Sequence, residues 1–233
     1  CWMSESLNVG TFVQSMQSTS PHSDVSDNGM IEKYCYGNVL ANCDIYGGLY
    51  DWDEMMDYTN VPGTQGICPN GWRLPTDEDW KILEGNVDSQ YPVGDPEWDN
   101  LFWHGLDAGE NLKDTTDNLW HAPNIFSTNS SGFTAIPAGY RTGYGNFWNI
   151  GDLNFFWTST EIQGGSAWHR VLSYDNRKIN KNSSTKNHGL SVRCLRECLF
   201  IPTTSYAGPD QLNVLETHVN LAANIPLSGD GTW

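Results

Sequence analysis

Hydrophobic and polar positions change their period along this chain, helical spacing giving way to strand-like alternation. Leu7, Val9 and Thr11 alternate within residues 3–11, a strand-like start, and residues 14–27 form a polar, Ser-rich loop. Residues 27–38 then turn into a short strand. In LYDWDEMMDY, after Gly47-Gly48, the apolar residues Leu49, Trp52 and Met56 recur at helical spacing and predict a short amphipathic helix. A second helix is better punctuated. Thr76 caps it, Asp79 stands at the capping-box position, and Asp77, Glu78 and Asp79 complement the dipole of the first turn. Trp80, Leu83 and Val87 make its buried face.

Residues 88–131 carry isolated aromatics between turn residues and read as ordered loop, with one short helix near 101–106. From Gly132 onward the pattern is strand-like: FTAIPAGY, FWNI, NFFWTST, AWHRVLSY and GLSVRCL, separated by Gly, Asn and Asp as hairpins require. Two early helices and several late strands predict an α+β domain over residues 1–198. Beyond Cys198 the texture changes to a linker and a partial β-segment over 199–233, similar to the opening of immunoglobulin-like or PKD-like repeats, so the parent protein is expected to be longer.

Composition narrows the class. Of 233 residues only 17 % are charged, eleven are Trp, and the net charge is −16. That balance disfavours nucleic acid and anionic membranes, which need clustered cations. No apolar run approaches a bilayer span. The chain starts at Cys1 and not at Met, which reads as a mature or partial product whose first residue runs straight into the fold, against a lipid anchor.

Six cysteines allow fifteen pairings. Cys35 and Cys43 flank turn residues and favour a local bridge; Cys68 with Cys194 would close most of the chain, and Cys1 with Cys198 its ends. The spacing offers C-x3-C and no C-x2-C, which favours disulfides over zinc. Paired cysteines imply an oxidising, extracytoplasmic setting.

Neither H-E-x-x-H, G-x-S-x-G nor a Walker loop occurs, and six scattered histidines show no ligand spacing, so a non-enzymatic role is expected. Asp24, Ser26, Asn28 and Gly29 match the start of an EF-hand loop, but Cys35 stands where its bidentate Glu belongs. Asp95, Glu97 and Asp99 alternate in DPEWDN and offer oxygens suited to a hard cation. Both read as solvated loops, leaving no cofactor, with calcium as the alternative they offer.

Seven of the twelve Lys and Arg fall at Arg170, Arg177, Lys178, Lys181, Lys186, Arg193 and Arg196. They either pair with acidic loops of the same domain or form a basic patch for an acidic partner. The loop AGYRTGYGNFWNIGD gathers Tyr140, Arg141, Tyr144, Phe147 and Trp148 between glycines. Flat rings and a guanidinium suit sugar or protein contact, and Trp168, His169 and Arg170 extend the candidate surface, with Trp103 and Trp120 as further members. N-glycosylation sequons stand at Asn129 and Asn182, and Asp114-Thr115-Thr116 resembles a bacterial O-glycosylation motif.

Several motifs occur in a fixed order: WMSESLNVGT at 2–11, IEKYCYGNVLANCDIYGGLYDWDEMM at 31–56, GICPNGWRLPTDEDWKILE at 66–84, FTAIPAGYRTGYGNFWNIG at 133–151, FFWTSTE at 155–161, AWHRVLSY at 167–174 and GLSVRCLRE at 189–197. Together they resemble the Fibrobacter succinogenes major paralogous domain across residues 1–198. The resemblance implies a C-type-lectin-like fold of the branch shared with formylglycine-generating enzymes. It also implies an exported module of a larger Gram-negative surface protein, commonly sent through type IX secretion. The calcium-binding E-P-N, Q-P-D and W-N-D signatures of true C-type lectins are missing. The expected function is an extracellular binding or adhesion module contacting glycan or protein through its aromatic loops. The alternative is a structural adhesin or filament subunit that assembles with copies of itself through acidic and basic surfaces.

Overall fold

The structure is a computed structural model, described here for residues 1–115, 119–124 and 126–198. The chain divides into two units, Cys1–Arg196 and Glu197–Trp233. The expected partial β-segment at 199–233 lies outside the described residues.

Ten strands and four α-helices carry the first unit among the described residues: β1 (Thr11–Phe12), β2 (Glu32–Lys33), α1 (Leu40–Tyr46), β3 (Leu49–Tyr50), α2 (Trp52–Met55), α3 (Asp77–Val87), β4 (Phe102–His104), α4 (Ala108–Leu112), β5 (Ala138–Arg141), β6 (Phe147–Ile150), β7 (Leu153–Ile162), β8 (Ser166–Ser173), β9 (Ile179–Thr185) and β10 (Leu190–Ser191). The main sheet runs β3-β10-β7-β8-β9-β4, with β5 joining β7 and carrying β6. Its long strands β7, β8 and β9 are antiparallel, whereas β10 and β5 meet β7 in parallel. This is the α+β domain the sequence predicts.

Phe156 and Trp157 are consecutive on β7 and so point to opposite faces of the sheet. Each belongs to one of two cores. Trp157 packs with Tyr50, Trp52, Met55, Leu74 and Val192, and Phe156 with Trp80, Trp98, Phe133, Leu172 and Ile179. Helix α3 docks on the second through Trp80, whose ring lies 5.5 Å from that of Phe156. Its capping box is present as expected: Thr76 accepts from the Asp79 N–H while the Asp79 carboxylate accepts from Thr76.

Two bridges staple this frame. Cys35–Cys43 closes a local loop and Cys68–Cys194 spans 126 residues. In the chain-entropy description the longer bridge contributes about 5 kcal/mol and the shorter about 2–3 kcal/mol. No described cysteine is free.

Three expectations are corrected. The helix drawn from the Leu49–Trp52–Met56 spacing shrinks to one turn, because Leu49 and Tyr50 are taken as a strand by β10 and Asp57 and Tyr58 adopt positive φ. The helix near 101–106 is instead strand β4, paired with β9; the short helix comes later, at α4, where Asp88 Oδ2 accepts the N–H groups of Leu106, Asp107 and Ala108. Regular pairing over 3–11 is confined to β1, while Met3 and Leu7 donate to Cys194 and Val192. Helix α1, which the periodicity does not predict, has no apolar stripe: Leu40 and Ile45 are exposed, only Cys43 is buried, and the Cys35 bridge holds it.

Candidate functional site

The contact loop separates into an outer and an inner half. Strands β5 and β6 pair antiparallel, setting Tyr140 opposite Trp148 and Arg141 opposite Phe147. Trp148 is 56 % exposed and Tyr144 46 %. Tyr140 is half-buried and lies 4.6 Å from the Phe155 ring. Arg141, by contrast, is fully buried, which corrects its expected role as a contact residue. It turns inward over the Tyr34 ring at 4.2 Å, donates to Ser15 Oγ at 2.6 Å, to the Asn187 carbonyl at 2.9 Å and to Asp24 at 2.7 Å.

His169 and Arg170 are corrected in the same way. Both lie in β8 and are buried. Desolvation holds the His169 imidazole down at about 3, with the Arg170 charge acting in the same direction. Arg170 donates to Glu84 at 2.5 Å and to Asp77 at 2.7 Å, and Lys181 joins Asp77 at 2.7 Å. Burial pushes the Glu84 and Asp77 carboxyls up, but the Arg170 charge and hydrogen bonds from neighbouring side chains outweigh it, and both end below their ordinary values. Trp168 is half-buried beneath Lys181, and Trp120 is a core residue donating to the Ala135 carbonyl. Trp103 stays partly exposed on β4, in an edge strand at the far end of the sheet from β3.

The basic cluster in sequence does not become a basic patch. Arg177 pairs with Glu110, Lys186 with Asp53 and Glu161, Arg193 is buried, and the Arg196 guanidinium lies over the Trp72 ring. The acidic loops are likewise occupied. Asp24 serves Arg141 and His22, Asp95 and Glu97 accept backbone N–H groups, and Asp99 holds Lys81. Among the described residues no group of three or more His, Cys, Asp or Glu is arranged to hold a metal ion.

Sequence reasoning missed the cleft beside the hairpin. It has a volume of about 380 Å³ and is walled by Ser23, Asp51, Asp53, Glu54, Tyr58 and Asn187, with Gly165, Thr185 and Lys186. Backbone hydrogen bonds assemble it: Trp52 donates to the Lys186 carbonyl and Lys186 to that of Gly165, which ties α2 to the β7–β8 and β9–β10 turns. Gly143 of the hairpin packs so closely on Asn187 that a Cβ there would meet its amide at 2.6 Å. Hairpin and cleft are therefore one continuous surface, joined underneath by Arg141.

Charge is unbalanced in the cleft. Asp51 is 3 % exposed, and its Oδ1 has no hydrogen-bond partner; Arg141, committed to Asp24, approaches it only to 3.8 Å. Desolvation raises the Asp51 carboxyl to about 6, partly offset by Arg141. Burial also raises Glu54, which accepts from the Tyr58 hydroxyl at 2.9 Å and the Glu32 N–H at 2.8 Å. Lys186 is the local cation, lying 4.0 Å over the Trp52 ring. A signal was available in the sequence: four carboxylates stand within residues 51–57 around the core residues Trp52 and Met55.

No curated protein and no solved structure matches the chain. A profile of the Fibrobacter succinogenes major domain matches residues 1–196, the whole of the first unit. With its ordered motifs and stapled α+β frame, the chain belongs to the Fibrobacter succinogenes major domain family.

Proposed function

We propose that this domain is a non-enzymatic extracellular binding module of a larger bacterial surface or secreted protein. Its contact surface is the β5–β6 hairpin together with the adjoining acidic cleft, and its ligand is a glycan or a protein. The observation that carries this reading is the exposure of Tyr144 and Trp148 on a hairpin whose own Arg141 is fixed in the interior. Exposed rings on a rigid support bind with little ordering cost and stack on sugar rings or fill protein pockets. Two observations favour an exported setting: the disulfides and the acidic charge. The finer fold we assign is C-type-lectin-like. In its support, the ends of the first unit meet through Trp2 and Leu195, and the loops around the cleft gather at one end of the sheet.

Glycan arrays and panels of surface proteins test this, probed with the full chain, Trp148→Ala and Asp53→Asn. Binding by the parent that Trp148→Ala abolishes is expected. A parent that binds nothing, or a Trp148→Ala variant that binds equally, overturns the reading.

A further inference from the structure

Arg193 follows β10 and carries its guanidinium into the interior with no exposed surface. The other two fully buried arginines are ion-paired, Arg141 with Asp24 and Arg170 with Glu84 and Asp77. Arg193 has no carboxylate within ion-pair distance among the described residues; the charge of Glu5 acts on it from farther away. Desolvation lowers its pKa to about 9, a measure of how poorly the charge is compensated. A buried, unpaired cation is costly, and a structure that keeps one has a reason to meet an opposite charge there.

The contacts of the guanidinium show which edge lacks partners. Its faces are covered by the rings of Phe133 at 4.1 Å and Phe156 at 5.4 Å. Nη1 donates to the carbonyls of Met3, at 3.2 Å, and of Phe133. Nη2 reaches only the Thr134 carbonyl, at 3.5 Å, and Nε donates to nothing. The Nε–Nη2 edge is the fork that takes a carboxylate side-on through two parallel hydrogen bonds. A second buried atom without a partner, Ser6 Oγ, belongs to the same cavity. Arg193, Ser4, Ser6, Asn8, Glu5 and Asp44 line this space of about 260 Å³, which suits a small ligand and not a chain.

We propose that this cavity binds a small zwitterionic carboxylate of amino-acid size, its carboxylate held side-on by Arg193 Nε and Nη2 with Ser6 Oγ as a third donor. The exposed Glu5 and Asp44 set the rest of the specificity. They repel a multiply charged anion such as phosphate and favour an ammonium group beside the bound carboxylate. The site is independent of the hairpin and its cleft, and stands or falls apart from them.

Nitrogen-15 spectra of the full chain test it by following the Arg193 Nε–H resonance during titration with glycine, acetate or phosphate at constant ionic strength. The resonance is identified by its loss in Arg193→Lys or, if that variant does not fold, by its nuclear Overhauser contacts to Phe133 and Phe156. A saturable shift is expected, with glycine binding more tightly than acetate and phosphate weakest. Ser6→Ala should weaken glycine about two- to tenfold, the equivalent of one hydrogen bond, without moving the thermal midpoint. Glu5→Gln with Asp44→Asn should narrow the preference for glycine over acetate and phosphate. An Nε–H that ignores glycine and acetate, a Ser6→Ala variant that binds equally, or phosphate binding as tightly as glycine would each overturn the proposal.

Discussion

Two buried ionic clusters sit in this domain and differ in how their charges are matched. Between α3 and β8–β9, Arg170 and Lys181 meet Glu84 and Asp77, with His104 adding a hydrogen bond to Glu84 at 3.3 Å. Two cations face two carboxylates, and Glu84 is driven below its ordinary pKa. Beside the hairpin, the single guanidinium of Arg141 is divided between Asp24 at 2.7 Å and Asp51 at 3.8 Å, and Asp51 is driven upward to about 6. Both clusters bury charge, yet one is closed and the other opens into a cleft. A closed pair fixes the packing of α3 on the sheet. An open one leaves a buried carboxylate with unused hydrogen-bonding capacity in the wall of the cleft.

The scaffold common to both clusters gives the largest expected effect. Replacing Cys68 and Cys194 together by Ser should cost about 5 kcal/mol in the chain-entropy limit, read as a fall in the denaturant midpoint. Next comes the closed cluster. Glu84→Gln removes one of the two carboxylates that hold Arg170, leaving Asp77, and should cost up to about 3 kcal/mol, measured by chemical unfolding. A loss under 1 kcal/mol would show that the cluster is not closed in the sense argued.

The pH dependence of the two clusters has opposite sign. Glu84 has a lowered folded pKa, so its stabilisation is present above its unfolded value and is lost as pH falls through the folded one. Asp51 has a raised folded pKa, so it costs nothing below the ordinary Asp range, and its penalty grows as pH rises from about 4 to about 6. Two pKa units correspond to about 3 kcal/mol. Asp51→Asn should therefore stabilise the domain by up to about 3 kcal/mol at pH 7, with the gain vanishing near pH 4. Unfolding curves at the two pH values check this.

The smallest effect on stability is expected at the hairpin. Trp148→Ala removes an exposed ring and should change stability by about 0.5 kcal/mol or less, while abolishing ligand binding. A large destabilisation would make Trp148 a packing residue and not a contact.

Helix α3 was legible because its capping box and acidic first turn are local signals written in consecutive residues. Strand β6 was legible as FWNI between turn residues. Strand β9, INKNSST, was not, since its polar residues are held in the sheet by β8 and β4 on either side and not by their own alternation. The candidate site was legible only in part for a related reason. Arg141 and Trp148 stand seven positions apart in one loop with equal aptitude for contact, and only the pairing of β5 with β6 and the reach of Arg141 to Asp24 decide which one faces solvent. The cleft depends on distant segments, residues 23–25, 51–58, 165 and 185–187, so its charge imbalance belongs to tertiary structure.

The carboxyl carbon resonances of Asp51 and Glu84, titrated in one sample of the folded chain, address this contrast most directly. Asp51 should titrate near 6 and Glu84 below the ordinary glutamate range. Asp51 titrating at or below 4 would mean that Arg141 fully compensates it, and the distinction between an open and a closed cluster would be lost.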